Sequence, residues 1–370
     1  MRSLFLMAFV LLGVQVQAQG PWNNPLRYAW SVDGKTFSAP EIFQDSAGVV
    51  SVAKWKGDTL IAVFQWFRGP RNAPTWDRVA SKFSVDNGRT WTEPRPITMV
   101  NMPASYQRPF DPTIVVLSRD SLRLYFSSSD GMPMGNDSII DTHSAVSTDG
   151  LRFVFEPGPR VNVDYRKVID PAVVRFGPGW HLTAPIGAPQ EGAYHYLSPA
   201  GVRLSPVPVI RSDNAHNWTG NFTVVDSTEL RFYGCGREIW YASSPNGGVW
   251  SGYVATNLRG GDPSVVRVSD SLYLIVFTGE PYGTTDAGSW SSPSWPQVSC
   301  TSGTCEVNAE GPWSSGCRVE VFDVLGCALA DLPWDGGTLR LRVPVCTPAA
   351  LFLRFSWSDR TFVLPAWMRE

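Results

Sequence analysis

Five similar units recur along this chain, and such a repeat constrains the fold more than any single motif does. Each unit contains an apolar β-hairpin, and three of the hairpins open with Asp-Pro, as in Asp111-Pro112-Thr113-Ile114-Val115-Val116. Runs of β-branched and aromatic residues bounded by Gly, Asp and Ser predict strands, and Pro is tolerated where a strand begins. The first strands of the five hairpins are predicted to begin at Val49, Asp111, Asp170, Asn221 and Asp262.

A second pattern, Ser-x-Asp-(x)-Gly-x-x-aromatic, alternates with the hairpins. It is clearest at Ser147-Thr148-Asp149-Gly150-Leu151-Arg152-Phe153. Asp accepts backbone N–H bonds within a turn, Gly supplies a positive φ, and the aromatic ring packs over the hairpin. Copies begin at Ser31, Ser84 and Ser147, with weaker ones at Ser198 and Ser243. These turns are predicted to be structural, with no role in chemistry for Asp33, Asp86 or Asp149.

The spacing of the two patterns predicts an all-β chain with a five-bladed β-propeller over residues 20–285. Propeller blades recur roughly every 40–60 residues and contain four strands. The first turn precedes the first hairpin, and the last hairpin has no turn of its own. We therefore expect Tyr28-Ala29-Trp30 and Thr36-Phe37 to supply the outer strands of the last blade, which would remove an open sheet edge. A single β-sandwich is the alternative.

The two ends of the chain have a different character. Arg2, the apolar run from Leu4 to Val14, and Val16-Gln17-Ala18 predict a signal peptide over residues 1–18. The apolar run would span only about 16 Å as a helix, too short for a membrane anchor. Residues 286–316 are predicted to be a linker rich in Ser, Pro and Trp, followed by a small β-sandwich over 317–370. The chain is therefore expected to be secreted or held at the cell surface.

Composition excludes one class of partner and permits one kind of crosslink. Only 17% of residues are charged and the formal net charge is −2, which argues against nucleic-acid binding. No internal apolar run reaches the length of a transmembrane helix. Five of the six Cys lie from Cys300 onward, and export permits disulfides. Cys300 and Cys305 are close enough to close a small loop, but the pairing of the six remains open.

Three resemblances accompany these patterns. The Ser-x-Asp turns resemble the Asp-box (BNR repeat) of sialidases, and the five-fold repeat resembles five-bladed glycoside hydrolases of the arabinanase and xylosidase type. Near the C-terminus, Val319-Glu320-Val321-Phe322-Asp323-Val324-Leu325-Gly326 and the strand Ala350–Phe355 are similar to the sorting domain of type IX secretion cargo. That last resemblance implies the type IX secretion machinery as a partner.

The propeller topology selects the candidate site. The Asp-Pro residues would begin the innermost strands, so Asp111, Asp170 and Asp262 should converge around one axis, with Asn221 in the equivalent place of another blade. Loops on the same face would add Glu191. The predicted substrate-binding residues are Asp262 together with Arg68, Arg108, Arg166, Trp218 and Arg237 from these loops. Carboxylates, guanidiniums and aromatic rings around one concavity suit a carbohydrate ligand.

The glycoside hydrolase resemblance implies roles for three carboxyls. Glu191 would be the acid, Asp170 the residue that raises its pKa, and Asp111 the base, because glycosidic cleavage needs one protonated and one ionised carboxyl. An acidic sugar is the alternative substrate. The expected function is a secreted or surface glycoside hydrolase; the alternatives are a non-catalytic propeller that binds glycans, or an adhesion protein.

No cofactor is expected. His143, His181, His195 and His216 follow no metal-ligand spacing. A calcium ion held in the channel by carboxylates and water is left open.

Overall fold

A computed structural model describes most of the chain. The described residues are 24–70, 73, 76–131, 139–280, 297–301, 304–308, 317–322, 328–334, 339–342, 350–356 and 361–369. The predicted signal peptide lies outside them. Within these residues, no helix is long and apolar enough to cross a bilayer.

Among the described residues up to 280, the structure has twenty-one short strands. In chain order they are β1 (Leu26–Ser31), β2 (Glu41–Gln44), β3 (Ala47–Lys56), β4 (Thr59–Trp66), β5 (Arg78–Ser84), β6 (Arg95–Pro96), β7 (Thr98–Val100), β8 (Phe110–Ser118), β9 (Ser121–Ser128), β10 (Asp141–Ser147), β11 (Arg152–Val161), β12 (Ala172–Phe176), β13 (Gly179–Pro185), β14 (Ala193–Ser198), β15 (Ser205–Ile210), β16 (His216–Val224), β17 (Leu230–Gly236), β18 (Trp240–Ser244), β19 (Val254–Ala255), β20 (Gly261–Ser269) and β21 (Leu272–Thr278).

These strands form five antiparallel sheets, the blades of a propeller. Blade 1 contains β3 to β6, blade 2 contains β8 to β11, blade 3 contains β12 to β15, and blade 4 contains β16 to β19. Blade 5 has the order β20-β21-β1-β2, and β7 adds a parallel strand to the outer edge of blade 2. The five-bladed, all-β fold predicted from the repeat is confirmed.

The ring closes by pairing the two ends of the propeller. β1 pairs with β21 over six residues, from Leu26 opposite Thr278 to Ser31 opposite Tyr273. The outermost strand of blade 5 is β2, and not Thr36-Phe37 as the sequence suggested. The reason is local: Asp33 Oδ1 accepts the Thr36 N–H at 2.8 Å, which keeps Thr36 inside the turn, and Phe37 is fully buried beyond it.

The turns between the third and fourth strands have the hydrogen bonds that their sequence predicts. In blade 2, Ser147 Oγ accepts the Gly150 N–H at 2.9 Å, and Asp149 Oδ1 accepts the N–H groups of Leu151 and Arg152, each at 2.8 Å. Gly150 has a φ of +73°. The Asp149 side chain is therefore committed to its own turn. The sialidase-type Asp-box resemblance stays a prediction.

Each of these turns also packs against the preceding blade. The Tyr125 hydroxyl of blade 2 donates to the Gly201 carbonyl of blade 3 at 2.6 Å. In the same way, the Tyr233 hydroxyl of blade 4 donates to the Gly34 carbonyl of blade 5 at 2.7 Å. Both tyrosines are fully buried. The repeated turns thus join neighbouring blades as well as neighbouring strands.

Removing one such hydrogen bond should weaken the ring measurably. We expect Tyr125→Phe to lower the unfolding free energy by about 1–3 kcal/mol, because the buried Gly201 carbonyl loses a donor. Tyr165→Phe is the control, since Tyr165 is 93% exposed, and it should leave stability unchanged. Urea denaturation measures both; equal midpoints would show that the joint contributes nothing.

Seven further strands follow the propeller. They are β22 (Gln297–Thr301), β23 (Thr304–Asn308), β24 (Cys317–Phe322), β25 (Ala328–Trp334), β26 (Leu339–Arg342), β27 (Ala350–Ser356) and β28 (Thr361–Arg369), and they pair in the order β25-β24-β27-β28-β22-β23-β26. β22 and β23 fall inside the range predicted to be a linker, and Cys300 lies opposite Cys305 in their ladder. The domain boundaries, the β-sandwich and its role in sorting stay predictions.

Candidate active site in the propeller channel

In four of the five blades, a residue at the start of the inner strand has a positive φ, in the left-handed backbone region. The φ angles are +47° for Val49, +47° for Asp111, +52° for Asp170 and +46° for Asp262. Asp tolerates this conformation, whereas a β-branched residue such as Val49 is strained in it. Register shifts follow in β3, β8 and β20. Such bulges redirect a side chain, and strained residues of this kind cluster at functional sites.

The Asp-Pro carboxyl groups meet in one small cavity on the propeller axis. Asp111, Asp170 and Asp262 line it together with Asn221, as the topology predicted, and the other lining residues are Val49, Val50, Pro112, Thr113, Pro171, Thr219 and Gly220. The cavity volume is about 10 Å³, room for about one water molecule. A sugar ring does not fit inside it, so a carbohydrate can reach these groups only from the channel mouth.

Asp111 and Asp170 are in direct contact. Asp111 Oδ2 accepts the Asp170 backbone N–H at 3.4 Å. Burial raises the pKa of Asp111 to about 7, and the charges of Asp262 and Asp77 act in the same direction. Burial and then the Asp111 charge raise the pKa of Asp170 well above its ordinary value. Two carboxyls this close cannot both ionise easily, so at neutral pH the pair retains a proton.

Asp262 approaches the same cavity from the other side of the ring. Blade 5 faces the junction between blades 2 and 3, which carry Asp111 and Asp170. Asp262 Oδ2 accepts a hydrogen bond from the Thr278 hydroxyl at 3.2 Å, and the Val49 backbone N–H is a second donor to Asp262. Burial raises the pKa of Asp262, but these two donors lower it. Asp262 is therefore better able than the pair to hold a negative charge.

Two residues that the sequence did not single out connect the channel to the face around it. Gln65 Oε1 accepts the Asp111 N–H at 3.2 Å, and Gln65 Nε2 donates to Asp77 Oδ1 at 2.9 Å. Asp77 in turn forms an ion pair with Arg108, whose Nε also donates to the Asp77 carbonyl at 2.7 Å. Asp77 has a φ of +50°. Asp77 lies directly before β5, on the face that carries Asp111. This position could have identified Asp77 from the sequence as a candidate site residue.

Glu191, the expected acid, lies apart from the cavity. It ends a 3-10 turn over Pro189–Glu191, and its Oε2 accepts the Ala188 N–H at 2.9 Å. The side chain is exposed and does not line the cavity. Its acid role stays a prediction, and its position outside the cavity does not favour that role.

The predicted substrate-binding residues divide into two groups. Arg108 is tied to Asp77, whereas Arg68, Arg166 and Arg237 are exposed. Arg237 pairs with Glu238 at 3.5 Å, and the Arg68 guanidinium lies 5.2 Å from the centre of the Trp66 ring. These exposed guanidiniums can reach a ligand, but nothing in their geometry assigns one.

Trp218 requires a correction. It was expected to offer its ring to a substrate, but it is only 1% exposed and stacks on Phe232 at 4.5 Å. Its ring also packs edge-on against Trp240 at 5.5 Å. Trp218 belongs to the hydrophobic core of blade 4, because the start of β16 lies in the sheet rather than in an open loop.

The described residues contain no group of three or more His, Cys, Asp and Glu side chains that could hold a metal ion. The three channel aspartates converge on one cavity, but they do not form a ligand set. His181 and His195 do meet, with Nδ1 3.2 Å from Nε2, as a buried pair between strands of blade 3.

Comparison with known proteins places the fold. No family model and no curated protein matches the chain. Among solved structures, the family GH32 β-fructofuranosidase BmSUC1 of Bombyx mori aligns with a TM-score of 0.50 and 11% identity, over 87% of this chain and 86% of its own. The GH43_1 enzyme of Xanthomonas citri aligns with a TM-score of 0.49 and 15% identity, over 70% and 98%.

A third structure, Zg3597 of Zobellia galactanivorans, is a family 117 glycoside hydrolase. It aligns with a TM-score of 0.47 and 10% identity, over 68% of this chain and 81% of its own. The chain is a five-bladed β-propeller whose fold resembles that of a glycoside hydrolase, the family GH32 β-fructofuranosidase.

Proposed function

We propose that this protein is a glycoside hydrolase that acts on glycans bound at the mouth of the propeller channel. The observation that carries the proposal is the convergence of Asp111, Asp170 and Asp262 on one water-sized cavity. The fold is consistent with it, because a GH32 enzyme has the same architecture. Buried carboxyls with raised pKa values at a shared cleft are typical of acid–base catalysis.

In this proposal the Asp111–Asp170 pair supplies the acid. Burial and the adjacent charge of Asp111 raise the pKa of Asp170 well above its ordinary value, which favours its protonated form. A protonated carboxyl of this kind can protonate the oxygen of the departing sugar. Asp111 would then stabilise the protonated form of Asp170. This role differs from the base role that the resemblance implied for Asp111.

Asp262 is the proposed base on the opposite side. The Thr278 hydroxyl and the Val49 N–H stabilise its carboxylate. The cavity between Asp262 and the pair has room for one water molecule, which hydrolysis requires as the nucleophile. The saccharide would then bind above this water, at the mouth of the channel.

A second function has two observations in its favour. The cavity is too small for a sugar ring, and Glu191 is tied to its own turn. A propeller that binds glycans without cleaving them would show the same two features. Secretion and delivery by the type IX machinery are also proposals, which rest on the sequence patterns at the two ends of the chain.

A screen of chromogenic glycosides on the full chain tests the proposal. Turnover is expected, and Asp170→Asn and Asp262→Asn should each reduce it by about 10²–10⁴-fold, the usual contribution of a general acid or base. Glu191→Gln is the matched control and should retain activity within a few-fold. Absence of turnover together with retained binding on a glycan array would support the non-catalytic alternative. A large loss in Glu191→Gln alone would return the acid role to Glu191.

A further inference from the structure

A second and larger cavity lies between blades 1 and 2, away from the axis. Its volume is about 300 Å³, the lower end of the range for small-molecule sites. It is lined by Arg78, Val79, Ile97, Met99, Met102, Pro103, Tyr106, Arg108 and Pro109. None of these residues lines the channel cavity.

One part of this interblade cavity is positively charged. Arg78 and Arg108 both line it, and the charge of Arg108 lowers the pKa of Arg78 after the larger effect of burial. Asp77 interacts with both arginines. It forms an ion pair with Arg108, and its charge raises the pKa of Arg78. Two guanidiniums and one carboxylate leave one positive charge in a partly buried place, which favours an anionic ligand.

The rest of the wall is apolar and fixed. Ile97, Met99, Met102 and Tyr106 pack against the buried core shared by blades 1 and 2. The Tyr106 ring lies edge-on to His143 at 5.3 Å and to Phe155 at 5.6 Å. These contacts hold the ring without closing the cavity.

We propose that the interblade cavity binds a small monocarboxylic acid with an apolar aromatic or alicyclic body. The carboxylate would lie against Arg78 and Arg108, and the body against Met99, Met102 and Tyr106. Guanidiniums form charge-assisted hydrogen bonds with carboxylates, and methionine side chains adapt to flat apolar rings. The site is separate from the channel and does not depend on whether the channel cleaves glycans.

Isothermal titration calorimetry of the full chain with 2-naphthoate tests this inference. We expect saturable binding with one site per chain, and binding at least tenfold weaker for the uncharged 2-naphthylmethanol, because a charge-assisted contact is lost. Glucuronate, which has the charge without the apolar body, should also bind at least tenfold more weakly than naphthoate.

Variants locate the site. Arg78→Gln and Arg108→Gln should each weaken naphthoate binding at least tenfold. Arg95→Gln is the matched control, since Arg95 is exposed on β6 of the same blade and does not line the cavity. If a thermal melt shows that one variant does not fold, the other variant and the uncharged analogue still test the proposed site. Equal affinity for the acid and the alcohol, unchanged binding in the folded variants, or no binding up to about 10 mM would overturn the proposal.

Discussion

Replacing Asp111 by Asn is expected to make the protein more stable at pH 8 while reducing its proposed activity. Asp111 is 9% exposed and its pKa is raised to about 7. Because the folded state holds this proton more tightly than the unfolded state, whose pKa is near 3.9, stability falls as the pH rises from about 4 to about 7. Asn does not ionise and tolerates a positive φ, so the variant should gain about 2–4 kcal/mol at pH 8 and little at pH 4.

The same substitution in a turn provides the control. Asp149→Asn should destabilise the protein at pH 8, since backbone N–H groups stabilise its carboxylate and lower its pKa. Opposite signs for one chemical change would separate a carboxyl retained for function from one retained for structure. Denaturant unfolding at pH 4 and pH 8 measures both variants. A loss of stability in Asp111→Asn at pH 8 would show that the channel carboxyl is structural.

The second large effect concerns the joints between blades. Gly247→Ala should lower the unfolding free energy by about 2–4 kcal/mol, because strain and overpacking add. Gly247 has a φ of +73°, and an added Cβ would lie 2.5 Å from Nδ1 of His181 in blade 3. The His181 ring cannot move aside freely, since it is buried and its Nδ1 bonds to His195 at 3.2 Å.

Gly177→Ala isolates the packing component of that loss. Gly177 has a φ of +58°, and an added Cβ would have nothing within 4 Å. The unfolding free energy of this control variant should therefore fall only by the cost of backbone strain, about 1 kcal/mol. Thermal or denaturant unfolding of the two variants gives the difference. If both lose the same amount, the turn of blade 4 does not fix the distance between blades 3 and 4.

The fold was predictable because its information is repeated. Five hairpins and five turns fix the number of blades, and the missing turn after Thr278 indicates how the ring closes. The outermost strand of blade 5 was misplaced because Thr36 and Phe37 have strand-forming side chains, while Asp33 holds this segment in a turn. Local hydrogen bonds overrode a β propensity that spans only about 1 kcal/mol.

The candidate site was only partly predictable. The convergence of Asp111, Asp170 and Asp262 followed from topology, because equivalent strands place equivalent residues at the axis. Distances between groups from different blades did not follow, so neither the Asp111–Asp170 contact nor the size of the cavity could be foreseen. Trp218 was misjudged because a Trp next to a predicted loop can turn inward as easily as outward.

The most direct test of the channel site is a pH titration of the protein's carboxyl carbons by NMR, with Asp111→Asn and Asp170→Asn for assignment. We expect one apparent pKa near 7, which disappears in Asp111→Asn, and a second apparent pKa, associated with Asp170, that lies well above the ordinary value. Removal of either carboxyl should shift the other toward the ordinary value of about 4. Titration of both groups between about pH 3 and 5 in the unaltered protein would contradict the shared proton, and with it the proposed acid.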